Sequence, residues 1–357
     1  MKNSKNLKQF WNKKKIFITG HTGFKGTWLC LILNHFNSSV HGYSLKPKKN
    51  SLFFKTQIHK DLASNTYANI NNLKELKKRI KQSKCEILFH LAAQPLVIES
   101  YKKPIKTFKT NFIGTLNILE CIKDVNSIKS VVIVTSDKVY KINKKNTKYK
   151  EIDILGGNDP YSASKAAAEM VVECYIKSYF DKNNLNNRIS TARAGNVIGG
   201  GDFAKDRLLP DIFRSINNKK NIILRNPNHI RPWQHVLDPL MGYLTLSKKQ
   251  YENKINNNIP AWNFGPDQKN FKRVIDIVRY INKKINFKYK INKKNKFEET
   301  SILKLDSSKS YKELNWFSKW DFHKALNETI NWNIEYKNGL SARAICKKQI
   351  LMYINNK

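Results

Sequence analysis

A glycine-rich turn between an apolar strand and an apolar helix constrains the fold of this 357-residue chain more than any other feature. Residues 15–19 (Lys-Ile-Phe-Ile-Thr) are short and β-branched, which predicts a strand. The turn Gly20-His-Thr-Gly23-Phe-Lys-Gly26 follows, and an apolar helical stretch runs on from Thr27. A strand, a glycine turn and a helix in this order predict a dinucleotide-binding unit.

Each glycine of the turn has its own expected role in holding a cofactor. Gly20 allows the tight turn, Gly23 lets the backbone approach a pyrophosphate, and Gly26 permits close packing of the helix on the strand. The N-terminus of the helix that follows offers free N–H groups and a positive dipole end, which attract phosphates. The spacing is G-x-x-G-x-x-G rather than G-x-G-x-x-G, and a glycine turn that binds no ligand is the alternative interpretation.

Short apolar strands continue to alternate with helical segments after this turn. Further strands are predicted at Ser39–Leu45, Ile87–Leu91 and Val131–Val134. The alternation predicts an α/β fold with a doubly wound, parallel, Rossmann-type sheet. Ligands bind at the carboxyl ends of the strands in such sheets, so we expect Gly20, Ala92 and Ser136 on one rim.

The texture of the sequence changes near Arg193, where glycines, prolines and aromatic residues become frequent. We therefore divide the chain into a polar leader at residues 1–14, a dinucleotide-binding domain at 15–192 and a smaller, mainly substrate-binding lobe at 193–357. Some elements of the lobe are expected to return to the first domain.

The formal net charge of +39 and the five cysteines narrow the class of protein. The positive charge is mostly lysine and is spread along the chain, which favours a solvated basic surface over a nucleic-acid footprint; acidic partners are a further alternative. The cysteines show no C-x-x-C or zinc-type spacing, so we predict a reducing compartment and no metal site. With no secretory signal and no apolar run of membrane-spanning length, we expect a cytoplasmic protein without membrane contact.

A tyrosine and a lysine four residues apart, Tyr161 and Lys165, provide the first candidate catalytic pair. Residues at this spacing lie on one face of a helix, and Pro160 suits its first position. A nearby ammonium favours the phenolate, so we expect Lys165 to lower the pKa of Tyr161. Such a tyrosine can act as a general base toward a hydroxyl group near neutral pH.

A set of stretches, in this order through most of the chain, carries a resemblance to a known family. They are Ile18-Thr-Gly-His-Thr-Gly-Phe-Lys-Gly26, His90-Leu-Ala-Ala-Gln-Pro-Leu-Val97, Thr135-Ser-Asp-Lys-Val-Tyr140, Asp159-Pro-Tyr-Ser-Ala-Ser-Lys165, Ala192-Arg-Ala-Gly-Asn-Val-Ile-Gly-Gly-Gly-Asp202, Arg231-Pro-Trp-Gln-His-Val-Leu237 and Ala261-Trp-Asn-Phe-Gly-Pro266. On these residues the chain resembles the extended short-chain dehydrogenase/reductase family, and within it the nucleotide-sugar 4,6-dehydratases.

The resemblance implies a cofactor, a substrate and an oligomer. The cofactor would be NAD, and the substrate a nucleotide-diphosphate hexose, with CDP-glucose converted to CDP-4-keto-6-deoxyglucose and water for the deoxysugars of surface polysaccharide. A homodimer or homotetramer is implied because the helical stretches Thr110–Lys123 and Ser162–Phe180 resemble those that pair between subunits in this family.

Five residues receive catalytic roles. Tyr161 would take the C4-hydroxyl proton, Lys165 would keep Tyr161 ionised and, by resemblance, bond the nicotinamide ribose, and Ser136 would bond the forming C4 ketone. Lys138 would remove the C5 proton as a neutral amine, which demands a lowered pKa. Asp137 would protonate the departing C6 hydroxyl, which demands a raised pKa.

The remaining site residues are implied mainly by the resemblance. The cofactor-binding set is Gly20, Gly23, Phe24, Gly26, Asn69, Ala92, Ala93, Thr135, Tyr161 and Lys165. The substrate-binding set is Gln94, Asn196, Arg207, Arg231 and His235. Arg231, beside Pro232 and Trp233, is interpreted as a clamp on the substrate pyrophosphate.

Two departures from the family pattern concern the cofactor. The second predicted strand ends at Tyr43-Ser44-Leu45-Lys46, without the carboxylate that often bonds the ribose. Lys46 would suit a 2′-phosphate, so NADP stays an alternative. Asn69 stands where relatives usually have aspartate, and we expect weaker adenine binding from its amide oxygen.

Simpler interpretations of the same residues stand beside these roles. Ser136 and Asp137 could cap a helix, Lys138 could be one lysine among many, Arg231 could be a surface residue and His235 a structural one. For the whole protein, a sugar-nucleotide 4-epimerase or reductase is the main alternative, since it needs Tyr161 and Lys165 only. A nucleic-acid-binding protein is the remote alternative.

Overall fold

The computed structural model describes residues 2–142, 148–180, 188–224, 226–255, 259–267, 270–291 and 304–355. Its α-helices are α1 (Lys2–Trp11), α2 (Phe24–His35), α3 (Leu52–Thr56), α4 (Leu73–Ser83), α5 (Val97–Lys102), α6 (Pro104–Phe108), α7 (Gly114–Ile122), α8 (Pro160–Tyr175), α9 (Leu208–Asn217), α10 (Leu237–Tyr251), α11 (Val274–Lys284), α12 (Ser308–Leu314), α13 (Phe322–Lys337) and α14 (Ala342–Asn355). None of these described helices is long and apolar enough to span a membrane.

The strands of the described residues form one large sheet and three two-stranded ones. They are β1 (Lys15–Thr19), β2 (Ser39–Ser44), β3 (Ser64–Tyr67), β4 (Ile87–His90), β5 (Ser130–Val134), β6 (Ile189–Ala194), β7 (Val197–Ile198), β8 (Ile222–Leu224), β9 (Ile230–Pro232), β10 (Gln234–His235), β11 (Ala261–Phe264), β12 (Phe271–Arg273) and β13 (Tyr289–Ile291). The large sheet has the order β11-β6-β5-β4-β1-β2-β3.

All pairings within the seven-stranded sheet are parallel, and helices connect its strands. The central strands β4, β5 and β6 are buried along their whole length, as expected of strands covered by helices on both faces. The predicted α/β fold with a doubly wound parallel sheet is confirmed.

The order of the strands reverses at β1, which pairs with β2 on one side and with β4 on the other. A crevice forms outside the carboxyl ends of the strands at such a switch point. Thr19, His90 and Val134 end β1, β4 and β5 on this side. The residues that follow them are therefore brought to one edge of the sheet.

The C-terminal half of the chain builds the small sheets and also completes the large one. β11 pairs with β6 at the edge of the seven-stranded sheet, with Ala261 opposite Thr191 and Phe264 opposite Ala194. The two-stranded sheets β7–β10, β8–β13 and β9–β12 are formed by residues 197–291, on both sides of β11 in sequence. Strands from residues 193–357 thus belong to both parts of the molecule.

The first residues differ from the predicted polar leader. Residues Lys2–Trp11 form α1, and the Trp11 side chain is fully buried. Its ring lies 6.2 Å from that of Phe89 on β4, measured between centroids. Leu7 and Phe10 pack against the same core, so the apolar side chains of this otherwise polar stretch anchor the helix, and the Trp11 indole buries the largest apolar area.

Candidate active site

A cavity of about 1260 Å³ opens at the carboxyl ends of β1, β4 and β5. Most of the residues singled out from the sequence line it. They are Gly20, Gly23, Phe24, Gly26, Asn69, Ala92, Ala93, Thr135, Ser136, Asp137, Lys138, Tyr161, Lys165, Asn196, Arg207 and Arg231. The turn, the strand ends and the C-terminal lobe therefore contribute to a single site.

The glycine turn is packed too tightly for larger side chains at two of its three glycines. Gly20 has a φ of +75°, and a β-carbon there would lie 2.6 Å from the Ala92 nitrogen. A β-carbon on Gly26 would lie 2.2 Å from the Gly20 oxygen. Gly23 is the extended N-cap of α2, and a β-carbon added to it would meet only the Gly20 oxygen, at 3.3 Å. The turn thus presents bare backbone and the start of a helix to the cavity.

Hydroxyl and amide groups surround the other end of the turn. The Thr22 and Ser44 hydroxyl oxygens lie 2.8 Å apart, and Thr22 also donates to the Leu45 carbonyl at 3.2 Å. Asn69 accepts a 3.0 Å bond from the Asn71 backbone N–H on its amide oxygen. These side chains are neutral, consistent with the missing carboxylate noted in the sequence.

Helix α8 carries Tyr161 and Lys165 into the cavity. Asp159 caps the helix by accepting 3.0 Å bonds from the Tyr161 and Ser162 backbone N–H groups, and Pro160 occupies the first position. Such capping holds the first turn in place, and Tyr161 with it.

The predicted lowering of the Tyr161 pKa by Lys165 is wrong for this structure. The Lys165 ammonium donates to the Val134 carbonyl at the end of β5, at 3.0 Å, rather than facing the phenol. Burial raises the pKa of Tyr161 to about 12, although hydrogen bonding to Ser136 opposes the shift. Burial also lowers the pKa of Lys165 to about 8, with Glu169 acting in the other direction. Burial outweighs the expected ion pairing in both groups.

A single 3₁₀ turn, Asp137–Val139, follows β5, and Ser136 is its N-cap. The Ser136 hydroxyl accepts from the Lys138 backbone N–H at 3.2 Å and donates to Asp137 Oδ1 at 3.0 Å. Ser136 is therefore an N-cap, as the simpler interpretation expected, and still lines the cavity beside Tyr161.

Asp137 is buried, and within the described ranges no hydrogen-bond partner reaches its second carboxyl oxygen, Oδ2. Burial raises the pKa of this carboxyl, although Lys138, Ser136, Arg231 and Lys25 oppose the shift. The direction agrees with the raised pKa expected of an acid that must be protonated before it acts.

Two arginines enter the cavity from the C-terminal half. Arg231 on β9 is almost fully buried; its guanidinium donates to the Ile230 carbonyl and lies 3.0 Å from His229 Nδ1. Arg207 pairs with Asp202 at 2.8 Å and is one-third exposed. Both therefore bring positive charge to the cavity wall, where an anionic group could be held.

Two predicted substrate-binding residues do not line the cavity. The Gln94 side chain turns back to bond the Leu96 carbonyl and the Thr107 hydroxyl. His235 is fully buried among aromatic rings, its ring 4.6 Å from that of Trp320 and 5.9 Å from that of Trp28. Burial lowers the pKa of His235 to about 3, so this histidine is neutral and structural.

Some residues of the site were missed in the sequence. Lys25 lines the cavity from the glycine turn, and Trp233 lines it from the C-terminal half. The β8 residues Ile222–Leu224 form an apolar part of the wall. The position of Lys25 inside the glycine turn could have indicated from the sequence that this residue lies at the site. The position of β8 in the cavity wall could not be predicted, because it depends on the tertiary fold.

Known proteins match most of this chain. The family model described as "GDP-mannose 4,6 dehydratase" matches residues 17–329. The chain belongs to the GDP-mannose 4,6 dehydratase family. The CDP-glucose 4,6-dehydratase of Salmonella typhimurium is 40% identical over 357 residues, covering 98% of both chains. The resemblance to extended short-chain dehydrogenases is confirmed.

Solved structures show that the dehydratase family shares its fold with epimerases. The crystal structure of dTDP-glucose 4,6-dehydratase from Bacillus anthracis in complex with NAD has a TM-score of 0.75 at 23% identity, covering 91% of this chain and 98% of that one. UDP-glucose 4-epimerase from Thermotoga maritima, with UDP-glucose, has a TM-score of 0.76 at 20% identity, covering 90% and 99%. Fold alone therefore does not separate the two activities.

Proposed function

We propose that this chain is an NAD-dependent hydro-lyase that removes water across C5 and C6 of a nucleotide-diphosphate hexose, CDP-glucose being the proposed substrate. The observation that carries the proposal is the Asp137–Lys138 pair, which lines the same cavity as Tyr161. An epimerase needs the tyrosine but has no use for an acid and a base at C6 and C5. The CDP-glucose 4,6-dehydratase that matches 98% of the chain supports the choice of nucleotide.

The glycine turn fits a dinucleotide pyrophosphate. A β-carbon at Gly20 or Gly26 would collide with backbone, and the N-terminus of α2 opens on the cavity with no acidic residue in its first turn. Backbone N–H groups at a helix N-terminus attract phosphate oxygens. When bound, NAD supplies an acceptor for the hydrogen and electron pair of C4 and gives them back at C6.

Oxidation at C4 needs a base and a donor to the forming ketone. Tyr161 accepts the proton of the C4 hydroxyl in its ionised form, although burial raises its pKa to about 12. The Ser136 hydroxyl, which donates to Asp137 Oδ1 in this structure, would turn to donate to the C4 oxygen. Ionisation of Tyr161 requires a nearby positive charge. Lys165, one helical turn further along α8, would supply it once its ammonium turns from the Val134 carbonyl toward the phenol. Tyr161, Ser136 and Lys165 are buried side chains, and together they orient the C4 hydroxyl group of the sugar.

Elimination then uses the neighbouring pair. A ketone at C4 makes the C5 proton acidic, and Lys138 is the proposed base that removes it. Asp137, whose pKa burial raises, gives its proton to the departing C6 hydroxyl. Lys138 returns a proton to C5 at the end, so C5 of the product carries hydrogen from solvent.

Arg231 should hold the pyrophosphate of the substrate. We expect Arg231→Ala to raise KM by about tenfold to a hundredfold, because a hydrogen bond to a charged group contributes about 1.5–3 kcal/mol. Steady-state kinetics with the nucleotide sugar measures this. The control is Arg273→Ala on the adjacent strand β12, since Arg273 is exposed and pairs with Asp276. An equal KM in both variants would return Arg231 to a structural role.

The oligomeric state is proposed as a homodimer or homotetramer. Apolar side chains are exposed along the helical segments from α6 to α8, with Ile105 71% and Met170 61% exposed. Apolar patches of this kind commonly lie in protein interfaces. Light scattering on the purified protein tests the proposal, and a monomer would contradict it.

The substrate is tested by incubating the enzyme with CDP-, dTDP-, UDP- and GDP-hexoses. A 4-keto-6-deoxy sugar, detected by its absorbance in alkali and by mass, should form fastest from CDP-glucose. A product that keeps its C6 hydroxyl and is only inverted at C4 would instead support the epimerase alternative.

A further inference from the structure

A half-buried lysine that the proposed mechanism does not use stands at the edge of the cofactor site. Lys25 is the second residue of α2, inside the glycine turn, and lines the cavity. Its ammonium donates a long 3.4 Å hydrogen bond to the Tyr243 hydroxyl of α10. No carboxylate forms an ion pair with it among the residues that the structure describes.

The placement of this lysine is electrostatically unfavourable. A cation in the first turn of a helix opposes the helix dipole. Burial, together with the charges of Arg207 and Lys165, lowers the pKa of Lys25 to about 7, and Asp137 acts in the opposite direction. An ammonium at the surface would carry no such electrostatic penalty. We therefore expect that Lys25 has a function at this site which compensates for its unfavourable placement.

The contacts of Lys25 place it near the reacting end of the cavity. It lies within electrostatic range of Lys165 on α8, of Asp137 on the 3₁₀ turn and of Arg207 before α9. Its partner Tyr243 lies within range of both Tyr161 and Asp137, which raise the pKa of its hydroxyl. In the proposed oxidation, the C4 hydroxyl gives its proton to Tyr161 and C4 gives its hydride to the nicotinamide ring. The nicotinamide ring must therefore lie close to C4 and to Tyr161, in the part of the cavity that Lys25 also lines.

A cation at this place distinguishes the two forms of a nicotinamide ring. The oxidised ring carries a positive charge and the reduced ring carries none. A neighbouring ammonium therefore repels the oxidised form only, and the repulsion is strong where water is excluded.

We propose, on the basis of the function proposed above, that Lys25 makes the cavity bind the reduced nicotinamide cofactor more tightly than the oxidised one. Its charge thereby favours oxidation of the sugar at C4 and keeps the withdrawn hydrogen in the site until C6 is ready to receive it.

The test is the ratio of the dissociation constants of NAD and NADH, measured on cofactor-free protein by NADH fluorescence and by competition with NAD. In Lys25→Met we expect the preference for NADH over NAD to fall by about tenfold or more. Lys25→Arg should retain the preference because it keeps the charge. The matched control is Tyr243→Phe, which removes the hydrogen-bond partner but leaves the amine; its ratio should stay within about twofold of wild type.

A second measurement uses wild-type protein and does not depend on the folding of a variant. Lys25 is charged below its pKa of about 7, so the preference for NADH should be larger at about pH 6 than at about pH 9. Arg207 stays charged over this range, whereas the nearby Lys165 has a pKa of about 8 and also titrates. The ratio of dissociation constants in Lys25→Arg, measured at the same two pH values, gives the part of the pH dependence that Lys165 causes.

The outcomes separate this inference from the function on which it rests. If wild type binds both cofactor forms and dehydrates CDP-glucose, but the ratio is the same in Lys25→Met and at both pH values, this inference alone is overturned. If wild type binds neither form, the proposed function fails as well.

Discussion

Replacing Asp137 with Asn and Lys138 with Met should stop dehydration while sparing the oxidation at C4. Oxidation needs Tyr161, Lys165 and the cofactor, whereas elimination also needs a base at C5 and an acid at C6. General acid and base groups each contribute about 10²–10⁴-fold, so we expect the rate of dehydration to fall by at least about a thousandfold. The variant should accumulate reduced cofactor, seen by its near-ultraviolet absorbance, and a 4-keto hexose that keeps its C6 hydroxyl.

The structure indicates that this double variant will fold. Asn has the shape of Asp and can still accept the Ser136 hydrogen bond, and the turn is held by the Lys138 backbone N–H rather than by its side chain. Lys141→Met, an exposed lysine just after the turn, is the control for loss of charge. Wild-type enzyme in heavy water should place deuterium at C5 of the product. Its absence there, or a double variant as fast as wild type, would remove the pair from the mechanism.

A valine at Gly23 should abolish cofactor binding. The Gly23 backbone faces the cavity at the N-terminus of α2, where the branched side chain would occupy the place proposed for the pyrophosphate. We expect affinity for NAD to drop by about a hundredfold or more, measured by calorimetry, since close backbone approach is lost.

The fold should survive this change, which makes the result interpretable. The β-carbon at Gly23 would meet only the Gly20 oxygen at 3.3 Å, and one at Gly156, outside the cavity lining, would meet Lys141 at 3.1 Å. Gly156→Val is therefore a matched control, expected to bind NAD normally. Wild-type affinity in Gly23→Val would show that the turn is not the phosphate site.

Sequence patterns predicted β1, β2, β4 and β5 of the seven-stranded sheet but not β3, β6 or β11, and the clearest predictions were the mainly apolar strands. The segments at Lys15–Thr19 and Val131–Val134 are β-branched and uninterrupted, and both are strands in the structure. β3, Ser64–Tyr67, was not predicted, since its four residues are polar and half-exposed at the sheet edge. Only pairing with β2 makes it a strand.

The same distinction holds for the site. Residues within motifs, such as Ser136 and Tyr161, could be placed because they follow a strand or open a helix. The direction in which a side chain points could not be predicted from the sequence. The Gln94 side chain folds back to bond the Leu96 carbonyl, and Lys165 bonds the Val134 carbonyl, although both residues stand in the expected motifs. Burial, which sets the pKa of Tyr161 and Asp137, also depends on parts of the chain that are distant in sequence.

The position of β11 at the edge of the large sheet has a consequence for the order in which this chain can fold. About seventy residues separate β6 from its edge partner, and α12 follows in sequence and packs on β11. During synthesis the backbone hydrogen-bonding groups on one edge of β6 have no partner strand until residues 261–264 have left the ribosome. A fragment that ends near residue 192 would leave this edge of the sheet unpaired permanently, and unpaired strand edges tend to pair with other chains. The two halves of the chain therefore share one sheet, and we expect a nascent chain of this protein to need protection from aggregation until residues 261–264 have emerged.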